Sequence, residues 1–208
     1  MTNLMKKYIC LVASFLCTSG CANVASDYLF DYYFGNNKNE AFVKDYNNNS
    51  EYSFAYLKFG RFGAGSILVL AYIDDGIYEW RSSDGISVFT SNGMVVKTLG
   101  LGKDYKTSLT LNPTFSQSFK EVSFTTLYEP SLYSAKTLNE FTASNKPLKI
   151  DILDQEITTS VITHKVEIPI IRWNKENKYF INSSGRVIKA EVYIHPYLPR
   201  LTINYFYK

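Results

Sequence analysis

The chain has 208 residues, of which 16% are aromatic and 20% are charged, and its formal net charge is +3. This length suits one domain that can bury its own core, and so small a net charge gives no reason to expect a nucleic-acid partner. The many Tyr and Phe residues, together with Thr, Val and Ile, favour β-strands.

The N-terminal segment has the pattern of a secretory signal. Lys6 and Lys7 precede the apolar run "YICLVASFLC", which is too short to span a bilayer as a permanent helix. Small residues follow, and then Cys21, after which the sequence contains no cysteine. We therefore expect residues 1–20 to be a signal peptide that is cleaved between Gly20 and Cys21.

The cleavage region is similar to a bacterial lipobox, although Thr18 stands where that pattern favours Leu. In a lipobox the cysteine after the cut is alkylated with diacylglycerol, and several acyl chains anchor a protein firmly to a membrane. The alternative is an ordinary signal peptide in which Cys21 is incidental. A single leftover thiol would be reactive in a secreted chain, so we predict lipidation at Cys21. Ala22, which is not Asp, permits sorting to the outer membrane.

Residues 21–50 are expected to form an acylated tether. Within them, "ASDYLFDYYFG" predicts a short amphipathic helix that ends at Gly35, because four residues have helical spacing: Tyr28, Leu29, Tyr32 and Tyr33. The Asn-rich stretches "GNNKNE" and "DYNNNSE" are expected to be loops.

Residues 51–208 have the pattern of a single β domain. The segments "EYSFAYLKF", "EVSFTTLYE" and "PRLTINYFYK" alternate, and the apolar run "SILVLAYI" predicts a strand that is covered on both faces. Further strands are predicted in "KIDILDQEITTSVITHKVEI", broken near Asp154-Gln155, and on both sides of Ser184-Gly185. "NKENK" is expected to be a turn, and Pro196 and Pro199 to lie at strand edges or in a loop.

The dipeptide Asn92-Gly93 lies between β-rich runs and predicts a type I′ hairpin turn. A turn centred there pairs three sets of residues: Ser91 with Met94, Phe89 with Val96, and Ile86 with Leu99. Many short antiparallel strands of this kind predict an all-β fold, either an antiparallel sandwich or a partly open barrel.

The block from Tyr56 to Leu101 resembles the YjbF/GfcB family of bacterial outer-membrane lipoproteins. Its most specific parts are Trp80 and "SSDGISVFTSNGMVVKTLGL", and a second similar block is "YFINSSGRVIKA". Members are linked to capsule and exopolysaccharide production and are encoded beside envelope proteins for polysaccharide export. The resemblance implies a role in that process, with export proteins and the polysaccharide as partners.

The two histidines, His164 and His195, do not have the spacing of metal ligands, and the mature chain would contain no cysteine besides Cys21. We expect surface or capped histidines, no metal site and no cofactor. No G-x-S-x-G motif supports a Ser-His-Asp triad.

Carboxylates are close in sequence at Asp74, Asp75, Glu79 and Asp84, and a glycosidase requires two of them beside its scissile bond. The Asp-Gly pairs already indicate turns, however, so we predict no catalytic residue.

Tyr78 and Trp80 share one face of a predicted strand. Such large apolar surfaces serve either the core or a sugar ring, and we expect core packing while keeping both residues as candidate glycan or partner contacts. The sequence thus predicts a non-enzymatic accessory lipoprotein at the periplasmic face of the outer membrane. The alternative is a periplasmic enzyme that trims or modifies the exported polysaccharide.

Overall fold

The computed structural model describes residues 37–60, 65–109, 118–128 and 131–208. In these ranges one α-helix precedes twelve β-strands. The helix is α1 (Asn37–Asn49), and a single 3-10 turn spans Pro169–Ile171. The strands are β1 (Phe54–Phe59), β2 (Gly65–Asp74), β3 (Ile77–Arg81), β4 (Ser87–Ser91), β5 (Met94–Leu99), β6 (Tyr105–Thr107), β7 (Phe119–Leu127), β8 (Tyr133–Ile152), β9 (Gln155–Ile168), β10 (Trp173–Ile181), β11 (Val187–Val192) and β12 (Leu201–Phe206).

Each strand pairs antiparallel with its neighbours in sequence, and β1 also pairs with β12, so the sheet closes into a barrel. The expectation of an all-β fold is confirmed, but the sandwich or partly open barrel is corrected to a closed barrel. The closure depends on a register that runs from Phe54 opposite Phe206 to Phe59 opposite Leu201. We call the end that contains the Asn92-Gly93 turn the lower end of the barrel.

The barrel interior is filled by side chains from alternate positions of the strands. Leu57, Leu68, Leu201 and Ile203 are all buried in one cluster with Trp80. Because side chains alternate across a sheet, their sequence neighbours point outwards. The run "SILVLAYI" lies in β2 as predicted, but its far end is not covered on both faces, since Tyr72 and Ile73 are exposed.

Helix α1 covers the outer face of β1 and β12. Val43 and Tyr46 pack against Phe54, whose ring stacks on Phe206 with 4.5 Å between centroids. The expectation that both Asn-rich stretches are loops is therefore wrong for residues 37–40 and 45–49. A helix of such polar composition is stabilised by the packing of one face rather than by its propensity. The predicted signal peptide, Cys21 and the short helix before Gly35 lie outside the described residues.

Strands β8 and β9 are much longer than their neighbours and form an arm beyond the barrel wall. The pairing of β9 with β10 ends at Ser160 opposite Ile181, whereas β8 and β9 remain paired to Ile152 opposite Gln155. We call residues 145–159 the arm. Its tip is a turn at Leu153 and Asp154, both with positive φ, close to the break predicted in this segment.

The tip of the arm contacts α1, although β10, β11 and β12 separate the base of the arm from β1 around the barrel. Leu153 joins the cluster of Val43 and Phe54, and Lys44 Nζ lies 2.9 Å from Asp154 Oδ2. The arm thus connects the helix that precedes the barrel to strands β8 and β9 of the barrel wall.

The predicted hairpin at Asn92-Gly93 is confirmed in its turn and corrected in its register. Asn92 and Gly93 have φ of 49° and 79°, and Ser91 pairs with Met94. A β-bulge then inserts one residue into β5. As a result Phe89 pairs with Lys97 instead of Val96, and Leu99 pairs with Ser87 instead of Ile86.

The predicted turn "NKENK" is wrong, because these residues lie inside β10. Asn177 points into the barrel, where its side-chain oxygen accepts a hydrogen bond from Tyr193 N at 2.7 Å. Glu176 and Lys178 are exposed on the outer face. The polar composition therefore reflects one exposed strand face together with one buried, hydrogen-bonded Asn. The prolines Pro196 and Pro199 lie in the loop between β11 and β12, as expected.

Candidate functional site

Trp80 is a core residue. Its side chain is 1% exposed, its Nε1 donates a hydrogen bond to Thr90 Oγ1 at 2.8 Å, and the rings of Tyr205 and Tyr207 pack around it. No face of the Trp80 ring is accessible, so the structure contradicts the suggestion that Trp80 contacts a glycan or a partner directly. The expectation of core packing holds for this residue.

Tyr78 lies at the border between the core and a pocket at the lower end of the barrel. Its ring stacks on Trp80, with centroids 6.2 Å apart and an interplanar angle of 15°. We call this cavity of about 330 Å³ the mouth pocket; its walls include Leu70, Ile73, Tyr78, Ile181, Arg186 and Tyr207. Such a volume is at the lower limit for small-molecule sites in proteins.

The mouth pocket combines aromatic and cationic groups. The Arg186 guanidinium lies 5.4 Å from the centre of the Tyr207 ring, and Tyr207 Oη donates a hydrogen bond to Val187 O at 3.2 Å. Burial raises the pKa of Tyr207 above its usual value, the nearby Tyr78 hydroxyl adds to the rise, and Arg186 opposes it. The Tyr207 hydroxyl is therefore a neutral donor and acceptor near neutral pH. The described lining contains no Asp or Glu side chain.

Arg186 is held at the pocket by a hydrogen-bonded turn between β10 and β11. Asn182 Oδ1 accepts hydrogen bonds from Arg186 N at 3.0 Å and from Ser184 N at 3.1 Å. Gly185 has a φ of +78°, which a residue with a side chain rarely adopts. The turn predicted at Ser184-Gly185 is confirmed, and it fixes the base of the Arg186 side chain.

A second concave surface crosses the outer face of β7–β11, with a volume of about 960 Å³. We call it the charged face. Cross-strand pairs place basic and acidic residues opposite each other: Lys120 and Glu140, Glu140 and Lys165, Lys165 and Glu176. Most of these exposed charges compensate one another, so the face has little net charge.

Three of the four candidate carboxylates, Asp74, Asp75 and Glu79, line one cavity of about 480 Å³, whereas Asp84 is not part of that lining. Asp75 precedes β3 and Asp84 follows it. This strand of five residues spans about 16 Å at 3.3 Å per residue. That separation exceeds what glycosidases use. Glu79 Oε1 accepts hydrogen bonds from Arg81 Nη2 at 2.6 Å and from Ser87 Oγ at 3.0 Å. Asp84 accepts from Ser82 within its turn, and Asp74 is exposed at the end of β2.

Both histidines are buried, which corrects the expectation of surface positions. His164 points into the barrel, where its ring stacks on Phe141 with 4.2 Å between centroids and its Nε2 lies 2.9 Å from Asn139 Oδ1. Burial lowers the pKa of His164 to about 3. His195 lies in the loop after β11, and its Nδ1 accepts a hydrogen bond from Tyr197 N at 3.2 Å.

Within the described ranges, no three His, Cys, Asp or Glu side chains converge in a way that could hold a metal ion. None of the helical residues in those ranges forms a span long and apolar enough to cross a membrane.

The family profile described as "Group 4 capsule polysaccharide lipoprotein gfcB, YjbF" matches residues 29–206. The chain belongs to the YjbF family. The resemblance drawn from the sequence is thereby confirmed. Membership makes the protein a relative of capsule-associated lipoproteins, which is consistent with a location in the cell envelope.

The fold of this chain is similar to that of a solved structure. The crystal structure of the hypothetical lipoprotein YmcC from Escherichia coli (K12) superimposes with a TM-score of 0.71, at 16% identity, over 89% of this chain and 94% of that chain. At this identity the likeness shows a shared fold. No curated protein sequence matches the chain.

Sequence reasoning missed Arg186 and Tyr207 as pocket residues. Arg186 lies in the family-like block "YFINSSGRVIKA". The sequence of this block predicts a turn, but it does not indicate that its cation lines a pocket. Tyr207 follows β12 and reaches the pocket only because that strand closes the barrel near β3.

Proposed function

We propose that this chain is a non-enzymatic lipoprotein, anchored through Cys21 at the periplasmic face of the outer membrane, that assists the production or export of a capsule or exopolysaccharide. The family match over residues 29–206 carries the proposal. The lipobox-like segment at Cys21 supports the anchor, and the mouth pocket offers a surface suited to binding.

The arrangement of polar groups supports a binding role over bond cleavage. Glu79 and Asp84 are engaged in local hydrogen bonds, and His164 has only an amide partner for its Nε2 among the described hydrogen bonds. A general base must reach the proton that it removes, and a buried His with a pKa of about 3 is poorly placed to do so.

The test is deletion of the gene, followed by complementation with the parent and with single variants. Loss of surface polymer on deletion is expected, and the parent should restore it. Asp74→Asn, Asp75→Asn, Glu79→Gln and Glu140→Gln should restore it as well, since no catalytic carboxylate is lost. Immunoblots of membrane fractions and thermal melts verify that each variant is anchored and folded. An anchored, folded carboxylate variant that abolishes surface polymer would favour the enzyme that trims or modifies the polysaccharide.

The proposed protein partners belong to the polysaccharide-export machinery of the envelope. Crosslinking in intact cells, followed by purification of the lipidated protein in detergent, should recover one of these proteins. Recovery of only abundant, unrelated envelope proteins, at the level seen with another lipoprotein, would argue against a role in holding that machinery together.

A further inference from the structure

We infer that the mouth pocket binds one carboxylate-bearing sugar residue of the polysaccharide. This inference rests on the proposed function and names the ligand chemistry of a site within it. A sugar ring has an apolar face of C–H groups and a rim of hydroxyls, and here it carries one negative charge. Each of these three properties has a counterpart among the residues of the pocket.

The apolar face of the sugar is matched by the aromatic and aliphatic walls. Tyr78 and Tyr207 offer rings that combine an apolar body with a hydroxyl, and Leu70 and Ile181 complete the apolar surface. Hydroxyl groups of the sugar meet the Tyr78 hydroxyl and the side chain of Asn92, which also lines the cavity.

The aromatic walls are held in place from behind. Tyr78 stacks on Trp80, and Trp80 is fixed by its hydrogen bond to Thr90. Tyr205 packs against both Trp80 and Tyr207 and donates a hydrogen bond from its Oη to Gly93 O at 3.0 Å. A pocket whose walls are already ordered loses little entropy when a ligand binds.

The negative charge of the sugar is matched by Arg186. No ion pair between described residues involves Arg186. Its guanidinium is therefore available for a carboxylate, which it can bind with two parallel hydrogen bonds. Lys208 also lines the pocket, with its Nζ donating to Asn47 O at 2.8 Å. The Arg186 guanidinium, in a lining without Asp or Glu side chains, favours an acidic sugar over a neutral one.

The charged face is a weaker match for such a ligand. Its cations already have acidic neighbours, as in the contact of Arg200 Nη1 with Glu191 Oε2 at 3.1 Å and that of Lys178 Nζ with Glu176 Oε1 at 3.6 Å. An anionic sugar would have to displace these carboxylates, and other carboxylates nearby would repel it.

The two tryptophans give a direct measurement of binding. Trp80 lies behind the mouth pocket, whereas Trp173 begins β10 at the other end of the barrel. The full-length lipidated protein, labelled with ¹⁵N at the indole nitrogens and held in detergent micelles, is titrated with glucuronate, galacturonate and tetragalacturonate. Glucose and maltotetraose are the neutral counterparts. The Trp80 indole signal should move with at least one acidic sugar, the Trp173 signal should stay, and neutral sugars should have a much smaller effect.

Arg186→Gln should weaken the binding of the acidic sugar roughly tenfold or more, because a charge-assisted hydrogen-bond pair is lost. Arg172→Gln is the matched control, since it removes an exposed arginine next to Trp173. The inference is overturned if no acidic sugar moves the Trp80 signal, if neutral sugars move it equally, or if Arg186→Gln binds like the parent. A shift at Trp173 alone would place binding elsewhere and also overturn it. None of these results would remove the accessory role, which deletion and complementation decide separately.

Discussion

His164 is kept neutral inside the barrel by its surroundings. Its ring lies between Phe141 and Tyr179, and its hydrogen-bond partner is the Asn139 amide, so no described hydrogen bond or ion pair links it to a carboxylate. Burial lowers the pKa from the usual 6.5 to about 3. Between these values the unfolded chain binds a proton that the folded chain does not bind. Stability from this residue is therefore complete above pH 6.5 and is lost as the pH falls towards 3.

The free energy of unfolding should fall by about 2 kcal/mol from His164 alone between pH 7.5 and pH 5, since each pH unit below 6.5 costs about 1.4 kcal/mol. Urea denaturation at several pH values measures the slope. His164→Gln, which keeps a hydrogen-bonding side chain but does not titrate, should be less stable overall and should show a shallower slope in this window. Equal slopes for the parent and the variant would contradict the prediction.

Two structural requirements favour glycine at position 93, and Gly76 shares only one of them. Both glycines have positive φ, +79° and +75°, which costs an L-residue roughly 1–2 kcal/mol. A Cβ at Gly93 would also lie 2.4 Å from Val187 Cβ, whereas a Cβ at Gly76 would meet nothing within 4 Å. Gly93→Ala should therefore lower the free energy of unfolding by more than Gly76→Ala does, and Gly93→Val by still more. If urea denaturation shows that Gly93→Ala and Gly76→Ala lose equal stability, the contact of the added Cβ with Val187 does not contribute to the loss.

The turn at Gly93 was predictable because Asn-Gly is a local signal. The different environments of Tyr78 and Trp80 were not, although alternation correctly put both on one face. Trp80 is covered by Tyr205, which comes from a strand more than a hundred residues later in the chain. Tyr78 lies closer to the lower end of the barrel, beyond the side chain that covers Trp80. Local sequence does not show which residue of an inward face lies at the opening.

The arm and helix α1 form a unit that is attached to the barrel from outside. The outer side of the arm is polar, with Lys149 Nζ 2.7 Å from Glu156 Oε1, while Ile152 and Thr159 are buried. The contact between Lys44 and Asp154 is exposed, so it contributes little to stability. The apolar contacts of Val43, Tyr46 and Leu153 are the main connection.

Val43→Ala should destabilise the unit of α1 and the arm by about 2 kcal/mol, because it shortens a fully buried side chain at the centre of that unit. Hydrogen exchange should become faster in α1 and at the tip of the arm, with little change in β3–β5. Phe42→Ala is the matched control, because Phe42 is the preceding residue of the same helix and 59% exposed. Unchanged exchange at the tip would show that the arm is held independently of α1.

The strands were largely predictable and α1 was not, for a physical reason. Alternation is visible within one segment, as in "EVSFTTLYE", and it needs no knowledge of a partner. Helix α1 contains few apolar residues, and its stability comes from Phe54 and Phe206, which belong to other elements. The bulge that adds Val96 to β5 was not predicted either, because Val96 is buried like Met94 and Val95 before it.

At the scale of the whole molecule, closure of the barrel joins parts of the chain that are far apart in sequence. The choice between a sandwich and a barrel could not be made from the sequence, because it depends on the pairing of β1 with β12. Those strands are the first and the last of the barrel. The pocket residues Tyr78, Arg186 and Tyr207 meet only as a result of this closure.

The predicted anchor has a direct test in fractionation. Cys21→Ser should leave an unprocessed precursor or a soluble periplasmic protein, because no other thiol follows the cleavage site. Cys17→Ser, in the apolar run of the predicted signal peptide, should be processed and lipidated normally. Labelling with a radioactive fatty acid and membrane fractionation distinguish these cases. Normal labelling and fractionation of Cys21→Ser would exclude Cys21 as the anchor.

The pairing of the first strand with the last one also constrains when the protein can finish folding. Lys208 N donates a hydrogen bond to Ser53 Oγ across 155 residues of chain. Until β12 has joined the sheet, the edge of β1 that pairs with it stays free, and an unpaired edge invites aggregation or proteolysis. A chain interrupted before β12 would leave two such edges, on β1 and on β11. Closure of the barrel therefore removes both free edges in one step.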